Sequence, residues 1–524
     1  MSPTFCRPFF CVAPLACLAC MALAVGLGFA CVTPSSPPNL NTLSLEKLPP
    51  LQHWEKEAMR FVHTQNTWLW QQWTSGAAGE GEGEYVHCEA FFSEKTWKEM
   101  QNMPKPDSPA EACALQNLQA FVLGEILALK LRKQNHNLAL LENNLTVMHQ
   151  ARDFPWYELG RLLAYEKNAT HRHNLWLYSL KKAQALNAAL VDRKQQTTHV
   201  LEQLGLNEAR ATLLFRGAEL EAFSLKLQTH LEETQAHWCA QVQSMAARQR
   251  GMHQASRADL PWFFQPKLNN SHRYFPANQQ AALVEAVFEG LGLWPTARLV
   301  QHIGEAQTNL PLPLALNGGL EASRLFFAPT QGPHSLKQWL GEMGRVLSWT
   351  YVAPNQWACR HLGPPILSHA SALVFARLAQ DKTWLVEQAL PESTAEEWER
   401  VFHAQAEYEF RRMAAHFLSQ LKSSALGPEE ASKAYVSIQA EVLCTQPLEA
   451  EAARLHVDAE EFFAMADKLR SHLLARHMWE YLRERFGKTW WRESEAGAWL
   501  KTLWTEGNAL PAEFLFERAR QAAG

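Results

Sequence analysis

The chain has 524 residues, of which 47% are hydrophobic and 19% charged, with a formal net charge of −4. That is the balance of an ordinary soluble protein, and it provides no basic field for a nucleic acid or a polybasic membrane surface. Glu, Ala, Leu, Gln, Lys and Arg dominate over β-branched runs, which favours helix over sheet, and the 20 tryptophans and 26 phenylalanines are bulk for a helical core.

Residues 1–31 stand apart. Arg7 is the only charge, and Phe9 to Val32 is apolar throughout except for Pro14, the layout of a secretory signal. Gly28-Phe29-Ala30 before Cys31 puts small residues at −3 and −1 of a cut and resembles a bacterial lipobox, which makes Cys31 the candidate lipid anchor. An ordinary signal-peptidase cut at the same bond, or retention of the apolar run as a membrane anchor, stays open. Each places the rest of the chain outside the cytoplasm, tethered to or released into a bacterial cell envelope. Residues 32–42 follow as a Pro/Ser tether. Five of the ten cysteines lie in this leader. The others, Cys88, Cys113, Cys239, Cys359 and Cys444, show no metal-type spacing and allow at most two disulfides whose pairing the sequence leaves undecided.

From Leu43 to about Ser75, Trp54, Met59, Phe61 and Trp68 fall at helical spacing. An acidic, glycine-rich loop runs from Gly76 to Glu84, and Pro104 to Pro109 marks a break. Ala110 to Lys133 is strongly amphipathic, with Leu115, Leu118, Val122, Ile126 and Leu129 on one stripe; Lys130, Arg132 and Lys133 read as its solvated end. Trp156 to Arg250 is nearly continuous helix, with breaks near Asn168 and at Gly205-Leu206-Asn207, the wall of a large bundle-like domain without fixed repeats. Gly251 to Pro276 is loop and Gln279 to Leu293 helix. Leu314-Ala315-Leu316, the Asn317-Gly318-Gly319 turn and Ser323 to Ala328 form the best hairpin signal in the chain. Helices return after Glu392, with Ser393-Thr394 before Glu396 and Glu397 as capping candidates. No second composition or pattern break divides the rest, so residues 43–524 are expected to form a single, mainly α domain with a central groove and one small β-hairpin or sheet.

Chemistry concentrates between Leu340 and Leu385. Gly341-Glu342-Met343-Gly344-Arg345 has the outline of His-Glu-x-x-His, in which two histidines on one helix face hold Zn²⁺ and the glutamate activates its water. Together with the preceding hairpin, the helix around Ser368-His369 to Leu378 and its continuation to Asp381, this stretch resembles the gluzincin metallopeptidases of the angiotensin-converting-enzyme and thimet-oligopeptidase type, nearest to their secreted bacterial relatives. The Trp490-Trp491 region is similar more loosely. The resemblance is specific over about 45 residues and by layout covers most of the mature chain. It implies a helical peptidase-like fold, with the two histidine ligands at positions 341 and 345, the general base at Glu342 and the third ligand at His369.

The ligand positions depart from the family. Gly341 has no side chain, Arg345 carries a permanent positive charge and no lone pair, and His369 alone cannot make a tetrahedral site. Glu342 then has no polarised water to deprotonate. The family's downstream histidine and tyrosines fall near His456 and Phe462-Phe463, and phenylalanine lacks the hydroxyl. The expectation is a catalytically inactive peptidase homologue, without zinc, that binds a peptide or protein in the old groove or serves a structural role with that groove collapsed around Trp349 and Trp357. The alternative is an active zinc-dependent peptidase with a non-standard site drawn from His334, His361, His369 and Glu342. Glu342 and Arg345 are spaced to pair along their helix.

Overall fold

A computed structural model describes residues 49–75, 88–249, 254–268, 271–304, 313–319 and 321–509, with isolated positions to 517. The leader, Cys31, the tether and the acidic glycine loop lie outside the described residues. The molecule is mainly α, 72% helical, with one two-stranded and one three-stranded sheet.

In chain order the helices of the first half are α1 (Pro50–Ser75), α2 (Glu94–Asn102), α3 (Pro109–Lys130), α4 (Arg132–Asn144), α5 (Leu159–Tyr165), α6 (Ala169–Gln203), α7 (Glu208–Arg216), α8 (Leu220–Ala247), α9 (Leu260–Phe264) and α10 (Ala277–Gly290). Strands β1 (Thr146–His149) and β2 (Arg152–Pro155) form a hairpin between α4 and α5 that no alternation in the sequence had marked. The breaks around Asn168 and Asn207 have local causes. Asn168 Oδ1 accepts from the Thr170 and His171 amides at 2.9 and 3.2 Å, and Asn207 Oδ1 from Arg210 N at 2.9 Å, so each side chain caps a new helix. Helix α3 is long and apolar enough to cross a membrane, but it packs on α1, α2 and α7 as the centre of the N-terminal core.

The second sheet holds β3 (Leu299–Ile303), β4 (Leu314–Leu316) and β5 (Ser323–Phe327) in the order β3-β5-β4. The expected hairpin is β4–β5, antiparallel, with Ala315 opposite Leu325. Asn317 Oδ1 accepts from Gly319 N at 3.0 Å, and Gly319 sits at φ +62 with its α-carbon against the Trp357 indole, where any side chain would collide. Strand β3 joins β5 in parallel, a pairing absent from the sequence reading because parallel partners need a long crossover rather than a turn. Leu325 and Phe327 point into the main core, where Phe327 stacks on Trp339 at 4.8 Å. On the other face His302 stacks on Phe326 at 4.7 Å beneath Trp70 of α1.

The C-terminal half continues with α11 (Pro333–Thr350), α12 (Trp357–His361), α13 (Ile366–Leu378), α14 (Lys382–Glu387), α15 (Glu392–Ser423), α16 (Pro428–Leu443), α17 (Leu455–Asp458), α18 (Met465–Phe486) and α19 (Ser494–Thr505). Helix α15 starts one residue ahead of the capping candidates. Pro391 occupies the N-cap, Ser393 and Thr394 lie within the first turn, and Lys382 reaches across to Glu392. The start of α11 is held by buried Gln280, which donates to the carbonyls of Phe275 and Thr330 at 2.8 and 2.7 Å and accepts from Ser335 Oγ at 2.9 Å.

Among the described residues, helices α11 and α13 make the most extensive helix–helix contact. A Cβ on Gly341 would come 3.1 Å from the Ala372 carbonyl and 3.3 Å from Ala376 Cβ, and one on Gly344 would collide with the Phe375 ring and lie 3.0 Å from the Ser371 carbonyl. The two glycines, three residues apart on one face, therefore set how near the helices approach. Gly344→Ala is expected to destabilise the protein by about 1–3 kcal/mol through overpacking, read as a fall in the urea midpoint at unchanged slope; an unchanged midpoint would show that the helices slide apart freely.

The core is built from four clusters that draw on distant parts of the chain. The largest joins α10, the second sheet, α11, α13, α18 and α19. A second joins α1–α3 and α7 to Trp357, Cys359 and Phe462. The third joins α8, α9, α15 and the start of α18, and the fourth packs α5 and α6 around β1. Among the described residues two disulfides add covalent ties, Cys113–Cys359 between α3 and α12 and Cys239–Cys444 between α8 and the end of α16, while Cys88 is buried in the N-terminal core.

Candidate functional site

Helix α11 is buried nearly all round, because the sheet, α10, α13 and α19 pack against it. Its one half-open stripe is Gln338, Glu342, Arg345 and Trp349, at i, i+4, i+7 and i+11. Helix α13 is likewise buried except for a stripe through His369, Leu373 and Ala376, and α18 leaves open Lys468, His472 and Arg476. Helix α13 packs against both α11 and α18, and Arg345, Lys468 and His472 all act electrostatically on His369, while Lys337 at the start of α11 acts on His472.

Of the motif residues, Glu342 and Arg345 pair on the half-open stripe, Arg345 acts on His369, and Gly341 lies on another face. Arg345 Nε lies 3.3 Å from Glu342 Oε2, with the two side chains 29% and 19% exposed. This is the spaced pair expected from the sequence, and such half-exposed helix pairs contribute less than about 1 kcal/mol. Gly341 is turned into the α13 contact, and that packing by itself accounts for the glycine.

The imidazoles of His369 and His472 are held neutral. Burial, followed by the cations Arg345 and Lys468 and by His472, keeps His369 well below its ordinary value. Burial and then Lys337 bring His472 down to about 4. Lys468 Nζ donates to Glu460 at 2.6 Å, Lys337 lies 5.9 Å above the Phe402 ring, and His472 packs at 6.1 Å against Phe410. Lys337, Lys468 and His472 were absent from the sequence reading. The four-residue spacing of Lys468 and His472 put them on one helix face, but nothing local showed that this face meets α13.

The other candidates sit elsewhere. His334 is exposed in the first turn of α11. His361 is buried in α12, stacked 6.0 Å from Trp357, with neither ring nitrogen hydrogen-bonded; burial, then Arg298 and Arg360, bring it to about 4. Trp357 belongs to the N-terminal core, whereas Trp349 remains on the half-open stripe. His456 lies in α17, where burial and then Lys194 lower its pKa. Phe462 stacks on Phe215 at 4.6 Å and Phe463 belongs to the α8–α15 core, so both act as packing residues.

Among the described residues no three of His, Cys, Asp and Glu lie close enough together to hold a metal ion. A small pocket lies between α1 and the β4–β5 turn, lined by His63, Asn66, Thr67, Glu321 and Arg324, with His63 Nδ1 3.0 Å from Glu321. Compared with protein-family models and with curated proteins, the chain matches none of either.

Proposed function

We propose that the chain is an exported, metal-free peptidase-like protein of the cell envelope that binds peptide or unfolded-protein segments at the α11–α13–α18 surface without cleaving them. The observation that carries this reading is the Glu342–Arg345 pair on the one half-open stripe of an otherwise buried helix, with Arg345 near enough to act on His369. Half-buried polar side chains are costly unless they are hydrogen-bonded, and a peptide's own polar groups would supply partners. Two disulfides spanning 246 and 205 residues support an oxidising compartment, in agreement with the leader's composition.

Hydrolysis has no support from these residues. Glu342 is engaged by Arg345, and the guanidinium neither binds a metal nor gives up a proton to water. The test is metal content of the purified mature chain after dialysis against zinc, together with selection from a peptide library. Substoichiometric zinc with enrichment of bound peptides is the expected result. One tightly held zinc per chain, lost in His369→Ala, would replace this reading with that of an active peptidase having a non-standard site. No enrichment over an unrelated helical protein would leave a structural role.

A further inference from the structure

Three asparagines stand in the acceptor pattern for N-linked glycans, Asn-x-Thr/Ser: Asn144-Leu145-Thr146, Asn168-Ala169-Thr170 and Asn269-Asn270-Ser271. Asn269 lies outside the described residues. The first two each have a glutamate two residues earlier, Glu142 and Glu166, the additional acid that bacterial oligosaccharyltransferases read. The fold separates these two. Asn168 is committed as the N-cap of α6, its Oδ1 accepting from the Thr170 and His171 amides. Glu166 beside it is buried, accepts from Asn168 N at 2.7 Å and meets His149 Nε2 at 3.2 Å.

Asn144 has no such task. It is the exposed last residue of α4, and among the described residues no hydrogen bond engages its side-chain amide or the Thr146 hydroxyl. Leu145 already has extended backbone, at φ −76 and ψ 129, and Thr146 opens β1 opposite Pro155, which has no N–H to give. The first buried side chain after Asn144 is Val147. Helix ends fray, so this tripeptide is the one that a transferase can draw out from the surface. Apolar side chains flank it: Leu141, one turn earlier on α4, is 43% exposed, and Met148, two residues beyond Thr146 on the same face of β1, is 57% exposed. A glycan rooted between them would shield apolar surface that otherwise faces water.

We propose that Asn144 is the attachment site of an N-linked glycan, added by an oligosaccharyltransferase once the chain is exported. The inference rests on the export in the proposed function and is independent of peptide binding. In the transfer, Asn144 Nδ2 attacks the anomeric carbon of a glycan carried on a lipid diphosphate. A C–N bond forms as the bond from that carbon to the diphosphate oxygen breaks, lipid diphosphate leaves, and the amide proton passes to a base of the transferase. The Thr146 hydroxyl is the recognition group.

In the experiment the full chain, leader included, is made in a bacterial host supplied with an oligosaccharyltransferase and its lipid-diphosphate-linked glycan, then fractionated and weighed intact by mass spectrometry. Most exported chains are expected to carry one glycan, mapped to Asn144 by peptide sequencing. Asn144→Gln and Thr146→Ala should each lose it, Thr146→Ser should keep it, and Asn168→Gln should leave it unchanged. Asn144→Gln should also hold the urea midpoint of the sugar-free wild type, so that its loss of glycan is not a loss of fold. A glycan confined to Asn168 or Asn269 would overturn the assignment. Exported chains with closed disulfides and no sugar would overturn glycosylation and leave the envelope location standing. Chains retained in the cytoplasm with reduced cysteines would overturn export and this inference together.

Discussion

Asp458→Ala is expected to lower the unfolding free energy by about 3–5 kcal/mol, measured by urea denaturation at neutral pH. Asp458 is the hub of a buried ionic network. Its Oδ2 receives Arg257 Nη2 at 3.1 Å and the Tyr435 hydroxyl, its Oδ1 receives Arg454 Nη2 at 2.6 Å, and His416 Nε2 stands 3.4 Å away. Arg257 also meets Glu451 at 3.3 Å and lies over the rings of Trp176 and Tyr435, while Glu451 accepts from the Trp176 indole at 2.7 Å. The network ties α6, α15, α16, α17 and the segment before α9. Alanine at 458 leaves two guanidinium groups buried without their shared carboxylate, which is far costlier than the pair itself is stabilising. A change below about 1 kcal/mol would mean that water enters and replaces the lost partner.

The same network sets an acid limit. Burial alone would raise the Asp458 pKa, but Arg454 and Arg257 outweigh it and hold the carboxyl well below its ordinary value. A carboxyl depressed in the folded state contributes stability above its unfolded pKa and loses that contribution as pH falls through the folded one. His416 adds to this in the same direction. Burial brings its imidazole to about 3, so between pH 6.5 and 3 the unfolded chain takes up a proton that the folded chain refuses. Stability should therefore begin to fall below about pH 6.5 and fall further below about pH 4, with the second step absent in Asp458→Ala.

The paired substitution Cys113→Ser with Cys359→Ser is expected to cost about 2–5 kcal/mol. The bond closes a 246-residue loop, and removing it restores the corresponding freedom to the unfolded chain. It also releases α12, a five-residue helix too short to persist alone, from α3. Asn117 of α3 partly compensates, donating to the carbonyls of Ala358, Cys359 and Leu362 at 3.2, 3.1 and 3.3 Å. Denaturant unfolding of the oxidised, reduced and substituted proteins checks this. Reduced wild type should approach the variant, less the contribution of Cys239–Cys444. Equal stability of all three would show that packing and Asn117 alone hold α12.

How much was legible beforehand depended on the range of the interaction. The helices, the breaks near Asn168 and Asn207 and the Asn317-Gly318-Gly319 turn could be read directly, because each is decided by side chains within about four residues of the backbone they satisfy. The pairing of Glu342 with Arg345 was legible for the same reason, as was the chemical unsuitability of arginine for a metal. The pairing of β3 with β5, the choice of Cys113–Cys359 and Cys239–Cys444, and the Arg257–Asp458 network were not, since their partners lie between about 20 and 250 residues apart.

Gly341 marks the boundary. Its sequence position invited comparison with a lost ligand, and only the distance to Ala372 and Ala376 on α13 showed that the absence of a side chain is what lets two helices touch. The sequence by itself determined that this is a mainly helical chain with few sheet-forming runs. Tertiary structure alone decided that α13 packs against both α11 and α18 and so brings Arg345, Lys468 and His472 near His369, because a half-open stripe exists only where neighbouring helices cover every other face.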